Sequence, residues 1–277
     1  MRWKQFLTPI QSLDARQADD FMRRRTSGIY TLLDVRQPGE YESEHLPGAK
    51  LIPLPELNQR LAELDAAKPT IVYCAIGGRS RVAAQMLASR GFEEVYNLTG
   101  GIKAWGQKKA IGSEDLGLDL FSGQESPLET LLVAYSLEAG LRDFYRSMAG
   151  IADDVKTVAL FKKLADMEVI HQDRLLDEYN RLAKTDFDRQ TFEKQLVAVQ
   201  SEGGLTTEEY LARYQPDLNA PLEVVSLAMS IEAQAMDLYQ RAAERAAAEA
   251  ARVVLIKMAS EEQSHLTQLG RLMEEIK

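Results

Sequence analysis

The chain predicts two domains of different class: an α/β domain built on a parallel sheet over residues 1–107, then an all-α four-helix bundle over residues 127–277, joined by a linker at 108–126. Three observations carry this. Short β-rich runs alternate with one-faced helical runs up to Gln107. The pattern then lapses into glycine, serine and acids. Beyond Pro127 the apolar period becomes helical, and it repeats itself at an offset of 94 residues, which indicates a duplicated helical unit.

In the first domain, Tyr30–Val35 is a β-rich run ended by the turn signal Arg36-Gln37-Pro38-Gly39, and Lys50–Leu54 is a second run broken by proline. Pro55–Leu64, with leucines at 57, 61 and 64 and polar residues between them, predicts a one-faced helix with proline in its first turn. Thr70–Tyr73 is apolar enough for a strand covered on both faces and runs straight into Cys74. A helix from Ser80 to Arg90, closed by Gly91, and a strand at Glu94–Leu98 complete the parallel-sheet pattern. In the linker, Leu116, Leu118, Leu120 and Phe121 stand out as residues that should pack on something.

Four long amphipathic helices are predicted in the second domain, at Leu128–Met148, Val155–Leu182, Pro221 to the mid-240s and Arg252–Ile276, with short helical runs at 191–200 and 206–214 in the long connection between the second and third. By propensity alone the Ala246–Ala251 run would fuse the last two helices into one. The repeat argues otherwise, because Gly150–Asp154, where the first copy turns, maps onto Glu244–Ala248.

The same repeat carries the chemistry. Ser136-Leu137-Glu138-Ala139 with Asp143 and Tyr145 returns as Ser230-Ile231-Glu232-Ala233 with Asp237 and Tyr239, and Glu168-x-x-His171 returns as Glu262-x-x-His265. Residues three apart share a helix face, so each Glu and His can converge on one ion. Glu138 and Glu232 sit inside apolar runs, where a carboxylate is costly unless paired or metal-bound. One Glu-x-x-His in a Glu-rich helix is a weak signal. Two in register, each preceded at 30 residues by a core carboxylate, form the ligand set of a carboxylate-bridged two-metal centre. The competing arrangement is a duplicated hairpin whose Glu and His pair across the core without metal.

Composition excludes several classes. A net charge of −9 argues against a broad nucleic-acid surface. No apolar stretch approaches the ~20 residues that cross a bilayer, and Met1–Ile10 lacks a signal-peptide core, so a cytoplasmic protein with no membrane partner is expected. The single cysteine, Cys74, excludes a disulfide within the chain and any site needing several thiolates. Two of the three histidines, His45, His171 and His265, lie in the repeated motifs.

Residues 127–277 resemble the ferritin-like di-iron proteins, most closely rubrerythrin-type bundles, through Glu138, Glu168-Val-Ile-His171, Glu232 and Glu262-Gln-Ser-His265. The resemblance implies two iron ions per chain, with manganese or zinc as substitutes. Glu168 and Glu262 would bridge them, Glu138 and Glu232 would be terminal carboxylates, and His171 and His265 would give one nitrogen to each. Tyr145 and Tyr239, two turns beyond the terminal carboxylates, are candidates for the surrounding shell or for core. Two features depart from the family. The additional Glu one turn after the third-helix ligand is replaced by Ala235, and the paired Cys-x-x-Cys motifs of an attached rubredoxin are missing, so an external electron donor is implied.

Between a buried strand and a helix, Cys74-Ala75-Ile76-Gly77-Gly78-Arg79-Ser80 places a thiol among loop amides near a helix N-terminus, an arrangement that lowers a thiol pKa and binds anions. A buried structural cysteine is the alternative. Residues 1–107 resemble a single-domain rhodanese through Asp34-Val35-Arg36 with Pro38, Glu40 and Tyr41, through His45-Leu46-Pro47-Gly48-Ala49, through Cys74–Ser80, and through Leu98-Thr99-Gly100-Gly101-Ile102 with Trp105. That resemblance implies that Cys74 accepts sulfane sulfur as a persulfide from thiosulfate or a persulfide donor and passes it to a thiol or cyanide. The amides of Ala75–Ser80 would cradle the sulfur and Arg79 would stabilise the anionic donor, whereas His45 reads as a structural residue. The combined expectation is a sulfurtransferase fused to a di-iron oxidoreductase bundle, in sulfur or peroxide metabolism, forming a homodimer or higher homo-oligomer. The rival is an iron-binding or iron-sensing bundle carrying a non-catalytic persulfide-binding module.

Overall fold

The computed structural model of the chain describes residues 10–25, 28–106, 108–194, 196 and 207–276. It divides into two compact units, with the boundary between Asp115 and Leu116.

The first unit runs β1 (Gln11–Leu13), α1 (Ala15–Arg23), β2 (Thr31–Asp34), α2 (Pro38–Ser43), β3 (Lys50–Leu51), β4 (Thr70–Tyr73), α3 (Gly78–Ser89) and β5 (Val95–Leu98). All pairings are parallel, in the order β1-β5-β4-β2-β3. All four residues of central β4 are buried, as its unbroken apolar run requires. Alternation along the strands sorts side chains between two cores. Leu32, Ile71 and Tyr73 pack with Tyr41, Leu98 and Trp105 on one face. Leu33, Val72 and Cys74 pack with Ala83, Ala84 and Leu87 of α3 on the other.

The helix expected over Pro55–Leu64 does not form. Glu56, Leu57 and Leu64 donate to the carbonyls three residues back, and only a 3-10 turn at Leu61–Glu63 is regular. The leucine spacing serves these tight turns equally well, since Leu57 is fully buried and Leu54, Leu61 and Leu64 cover the α3-side core. A ten-residue segment starting at Pro55, two residues after Pro53, gains too little from helix propagation to offset nucleation. β1 and α1, which the sequence reading did not place, carry a local signal: Asp14 accepts from the Gln17 amide at 2.8 Å while the Gln17 side chain accepts from the Asp14 amide at 2.9 Å, a capping box.

The second unit comprises α4 (Pro127–Ile151), α5 (Val155–Ala183), α6 (Arg189–Glu193), α7 (Thr207–Tyr214), α8 (Pro221–Arg245) and α9 (Glu249–Ile276). Hairpins α4–α5 and α8–α9 meet through α4 against α9 and α5 against α8, the arrangement of a four-helix bundle with one long crossover. A capping box between Ser126 and Glu129 with Pro127 at the first position starts α4, and Asp154 caps α5 through the Thr157 amide at 2.9 Å. Of the run expected at 191–200, residues 195 and 197–200 lie outside the described residues.

The break in the alanine-rich run falls where the repeat places it. α8 ends at Arg245, and the Ala247 amide, instead of continuing the helix, donates to the Gly123 carbonyl at 2.8 Å. Gly123 has φ +81, and a Cβ there would lie 2.8 Å from the Arg245 carbonyl oxygen, so only glycine fits this close approach.

Residues 108–126, expected as a linker, are divided between the units. Ala110 exchanges two backbone hydrogen bonds with His45, Gly112 donates to Glu42, and Glu114 accepts from the Leu51 amide at 3.0 Å. Leu118 and Phe121 are buried in the bundle core, and the Leu116 carbonyl accepts from Arg241 at 2.9 Å. The composition of a flexible connector conceals backbone groups that find partners on both sides.

Candidate active-site loop and metal centre

β4 delivers Cys74 to the start of α3, where Gly77, the residue that precedes and caps the helix, adopts φ +98. The Cys74 thiol is buried, accepts from the Gly77 amide at 3.1 Å and lies 3.5 Å from Ser80 Oγ, which is itself 2.7 Å from Asn97 Oδ1. Burial acts to raise the thiol pKa, but the Ser80 hydroxyl and the amides of Ser80, Ile76 and Gly77 outweigh it and bring it below its ordinary value. The Gly100-Gly101 turn holds the loop from outside: the Ile102 and Lys103 amides take the carbonyls of Cys74 and Ala75 at 2.9 and 3.2 Å. Gly101 has φ +58, and a Cβ there would lie 2.2 Å from the Cys74 carbonyl oxygen. Pinning these carbonyls outward leaves the loop amides to face the sulfur.

Within the loop, Ala75 is half-buried, Ile76 and Gly78 are exposed, and Gly77 and Ser80 are buried. Arg79, expected to serve an anionic donor, makes a two-pronged ion pair with Glu40, Nη1 to Oε2 and Nη2 to Oε1, both at 2.7 Å, and also interacts with Cys74. The Arg79 hydrogen bonds hold the Glu40 carboxyl down at about 2. Glu40 and Asn97 were not singled out as site residues. Glu40 had one local signal, its position three after Gln37 in a capping box. The other shared motifs are structural. Arg36 binds Asp34 at 2.7 Å and the Glu44 carbonyl at 2.7 Å. His45 stacks on Tyr41 at 3.7 Å, with Nδ1 2.9 Å from the Tyr41 carbonyl.

In the bundle, Glu138, Glu168 and His171 form one cluster and Glu232, Glu262 and His265 a second, each with ligand atoms within 4.8 Å of one another. The halves mirror each other. His171 Nδ1 lies 2.8 Å from Glu168 Oε2 and 3.5 Å from Glu138 Oε2, while His265 Nδ1 lies 2.8 Å from Glu262 Oε2 and 3.3 Å from Glu232 Oε2. All six are buried, Glu138, Glu168 and Glu262 each to 1% exposure. Burial acts to raise the Glu232 carboxyl, but the His265 imidazole brings it below its ordinary value. Conversely, burial would lower His265, and Glu232, followed by Glu138, raises it.

These residues fit a pair of cations. Four buried carboxylates face two imidazoles, so even two imidazolium ions would leave negative charge uncompensated in a low-dielectric core. Both oxygens of Glu138 lack a hydrogen-bond partner among the described residues, the state of a carboxylate shaped to receive a metal. The oxygen and nitrogen donor set suits first-row divalent ions. Tyr145 and Tyr239 are core residues, packed against Phe144 and Phe161 and against Phe121 respectively. Ala235 is fully buried among apolar neighbours.

The family model described as Rubrerythrin matches residues 129–273, which is 145 of the 277 residues. This chain belongs to the rubrerythrin family. Its rubrerythrin domain is preceded by a rhodanese-like domain, matched over residues 13–108. A bundle of this family is of iron-binding type, and the two clusters above are where its carboxylates and imidazoles converge. Among curated proteins, the chain is 49% identical over 77 residues to the uncharacterized protein YqhL of Bacillus subtilis, covering 28% of this chain and 61% of that one. It is 44% identical over 81 residues to the rhodanese-like/PpiC domain-containing protein 12, chloroplastic, of Arabidopsis thaliana, covering 28% of this chain and 27% of that one. The chain thus spans less than two thirds of the length of either relative. Among solved structures it is similar to a rhodanese-like domain protein of Staphylococcus aureus, at 27% identity and a TM-score of 0.34, over 38% of this chain and all of that one. No helix among the described residues is long and apolar enough to cross a membrane.

Proposed function

We propose that the protein is a sulfurtransferase that carries sulfane sulfur as a persulfide on Cys74, fused to a non-haem di-iron oxidoreductase bundle that works in sulfur or peroxide metabolism. The observation that carries the first half is the Cys74 sulfur itself, buried at the start of α3, held by the Gly77 amide at 3.1 Å and lowered in pKa by the loop. The thiolate attacks the terminal sulfur of a donor R–S–S–H. A new S–S bond forms on Cys74, the donor's S–S bond breaks, and R–S⁻ leaves with the electron pair. In the second half-reaction a thiol, as its thiolate, or cyanide attacks the outer sulfur and restores the Cys74 thiolate. Sulfur moves as a neutral atom in both steps, so no external oxidant or reductant is consumed.

In the bundle, Glu138, Glu168 and His171 would hold one iron and Glu232, Glu262 and His265 the other, with Glu168 and Glu262 bridging by family resemblance. When bound, the metals supply one-electron redox chemistry. The chain's own contribution is a dry, negatively charged cage: six buried ligands, with each imidazole Nδ1 paired to a carboxylate at 2.8 Å so that its proton can be given up when a cation enters. Electrons come from an external donor.

Intact mass spectrometry tests the first half. Protein exposed to cysteine persulfide should become one sulfur heavier and return to its starting mass on adding cyanide, and Cys74→Ser should do neither. Transfer by the Ser variant refutes the assignment, because no second cysteine exists.

A further inference from the structure

Arg79 is the one cation within the Cys74–Ser80 loop. Its guanidinium is close enough to Cys74 for that sulfur to help raise its pKa, yet the largest influence on it is the Glu40 hydrogen bond. Glu40 takes both prongs of the fork at 2.7 Å. The carboxylate is also anchored from behind, because Glu40 Oε2 accepts from the Gln37 amide at 3.1 Å as part of the capping box that starts α2. Swinging it aside would uncap that helix as well as break the ion pair. The loop therefore offers the sulfur its backbone amides and a guanidinium whose charge is shared with, and largely balanced by, the Glu40 carboxylate.

We propose that Glu40 sets the charge of the sulfur donor: by occupying the Arg79 fork it makes the loop select an alkyl hydropersulfide, which reacts in its protonated, neutral R–S–S–H form, over the dianion thiosulfate. This rests on Cys74 being a sulfur acceptor, and it names the donor class. With a hydropersulfide, one negative charge enters the step on Cys74 and leaves on R–S⁻. With thiosulfate the thiolate must meet a dianion, and sulfite departs carrying both charges. Three negative charges then gather beside the Glu40 carboxylate, with no unpaired guanidinium in the loop to receive them. Glu40 acts through Arg79 and is a positioning residue.

The test compares steady-state loading of the full chain from cysteine persulfide and from thiosulfate, with cyanide as common acceptor, for wild type, Glu40→Gln and Glu40→Asp. Glutamine keeps an acceptor for the Gln37 amide but removes the charge, whereas aspartate keeps the charge. Wild type should favour the persulfide. Glu40→Gln should raise the thiosulfate-to-persulfide ratio of kcat/KM by about tenfold, through a lower KM for thiosulfate, and Glu40→Asp should stay near the wild-type ratio. A role limited to capping α2 would weaken both donors together and leave the ratio unmoved, which overturns the proposal while the sulfurtransferase reading stands. Wild type using thiosulfate as readily as the persulfide overturns it in the same way. Failure of both donors to load wild-type Cys74 removes the sulfurtransferase reading and the proposal with it.

Discussion

The imidazole of His171 lies flat on that of His265, ring centroids 3.8 Å apart and planes 8° from parallel. The two rings come from α5 and α9, equivalent helices of the repeated hairpin, so their stacking places the pseudo-symmetry axis of the bundle between them. Each Nδ1 turns to the carboxylate on its own helix. Duplication has thus produced two half-sites, each complete within one hairpin, that the bundle brings face to face.

That geometry sets the expectation for metal content. Purified protein should hold two metal ions per chain, and Glu168→Ala or Glu262→Ala should lose both, because each removes a donor from a cage whose other members remain buried and charged. Elemental analysis after gel filtration reads the result directly. Removal of the metals by a chelator should lower thermal stability as well, since ions bound only by the folded state stabilise it by mass action. Two tightly held ions in Glu168→Ala would show that the clusters are not the metal site.

Long-range symmetry made the bundle legible in the sequence. All six candidate ligands fell into the two clusters because a repeat conveys spatial neighbourhood that single-helix propensity lacks, and it also located the α8–α9 break inside an alanine run. The Cys74 loop was legible because strand, loop and helix are contiguous. Pairings between distant segments were not. Glu40 and Arg79 are 39 residues apart, and nothing local to either announces the other. The glycines and serines of 108–126 suggested a tether, yet its backbone is bound to Glu42 and His45 on one side and Arg241 on the other, and its Glu114 carboxylate accepts from the Leu51 amide. At Pro55–Leu64 the periodicity was real, but the same spacing buries Leu57 from a series of turns.

Cys74 should alkylate faster near neutral pH than an ordinary thiol. Its pKa is lowered, so its rate should rise with pH and level off below the ordinary thiol range near 8.5. Ser80→Ala removes the side chain that does most to offset burial and should move the inflection upward. Iodoacetamide kinetics across pH measure both, and an unchanged inflection in Ser80→Ala would assign the lowering to the backbone amides alone.

Acid should weaken the first unit partly through Glu40. Its carboxyl lies at about 2 when folded against roughly 4.3 when unfolded. A depressed carboxyl contributes stability that is full above the unfolded value and is lost as pH falls through the folded one, so the window runs from about 4.3 down to about 2. Both partners are 36% exposed, so screening limits the contribution to under about 1 kcal/mol. Denaturant titrations at pH 7 and pH 3 should therefore differ less in Glu40→Gln than in wild type. An equal loss in both would place the acid sensitivity elsewhere.

The break between α8 and α9 connects one glycine to the metal site. Ala246–Ala251 has every propensity to stay helical, and what interrupts it is the Gly123 carbonyl accepting the Ala247 amide at 2.8 Å. At Gly123, φ is +81 and an added Cβ would meet the Arg245 carbonyl oxygen at 2.8 Å. Gly123→Val must shift that backbone and strain its own, at a cost of about 1–3 kcal/mol. Gly39→Ala, with nothing within 4 Å of its added Cβ, is the control for a harmless glycine replacement. If the turn fails, α8 and α9 tend toward one straight helix, which would carry Glu262 and His265 away from Glu232. Gly123→Val should accordingly lose part of its metal content together with thermal stability, whereas Gly39→Ala should keep both. A Gly123→Val protein that melts earlier but binds metal fully would mean that helix packing alone holds the hairpin closed.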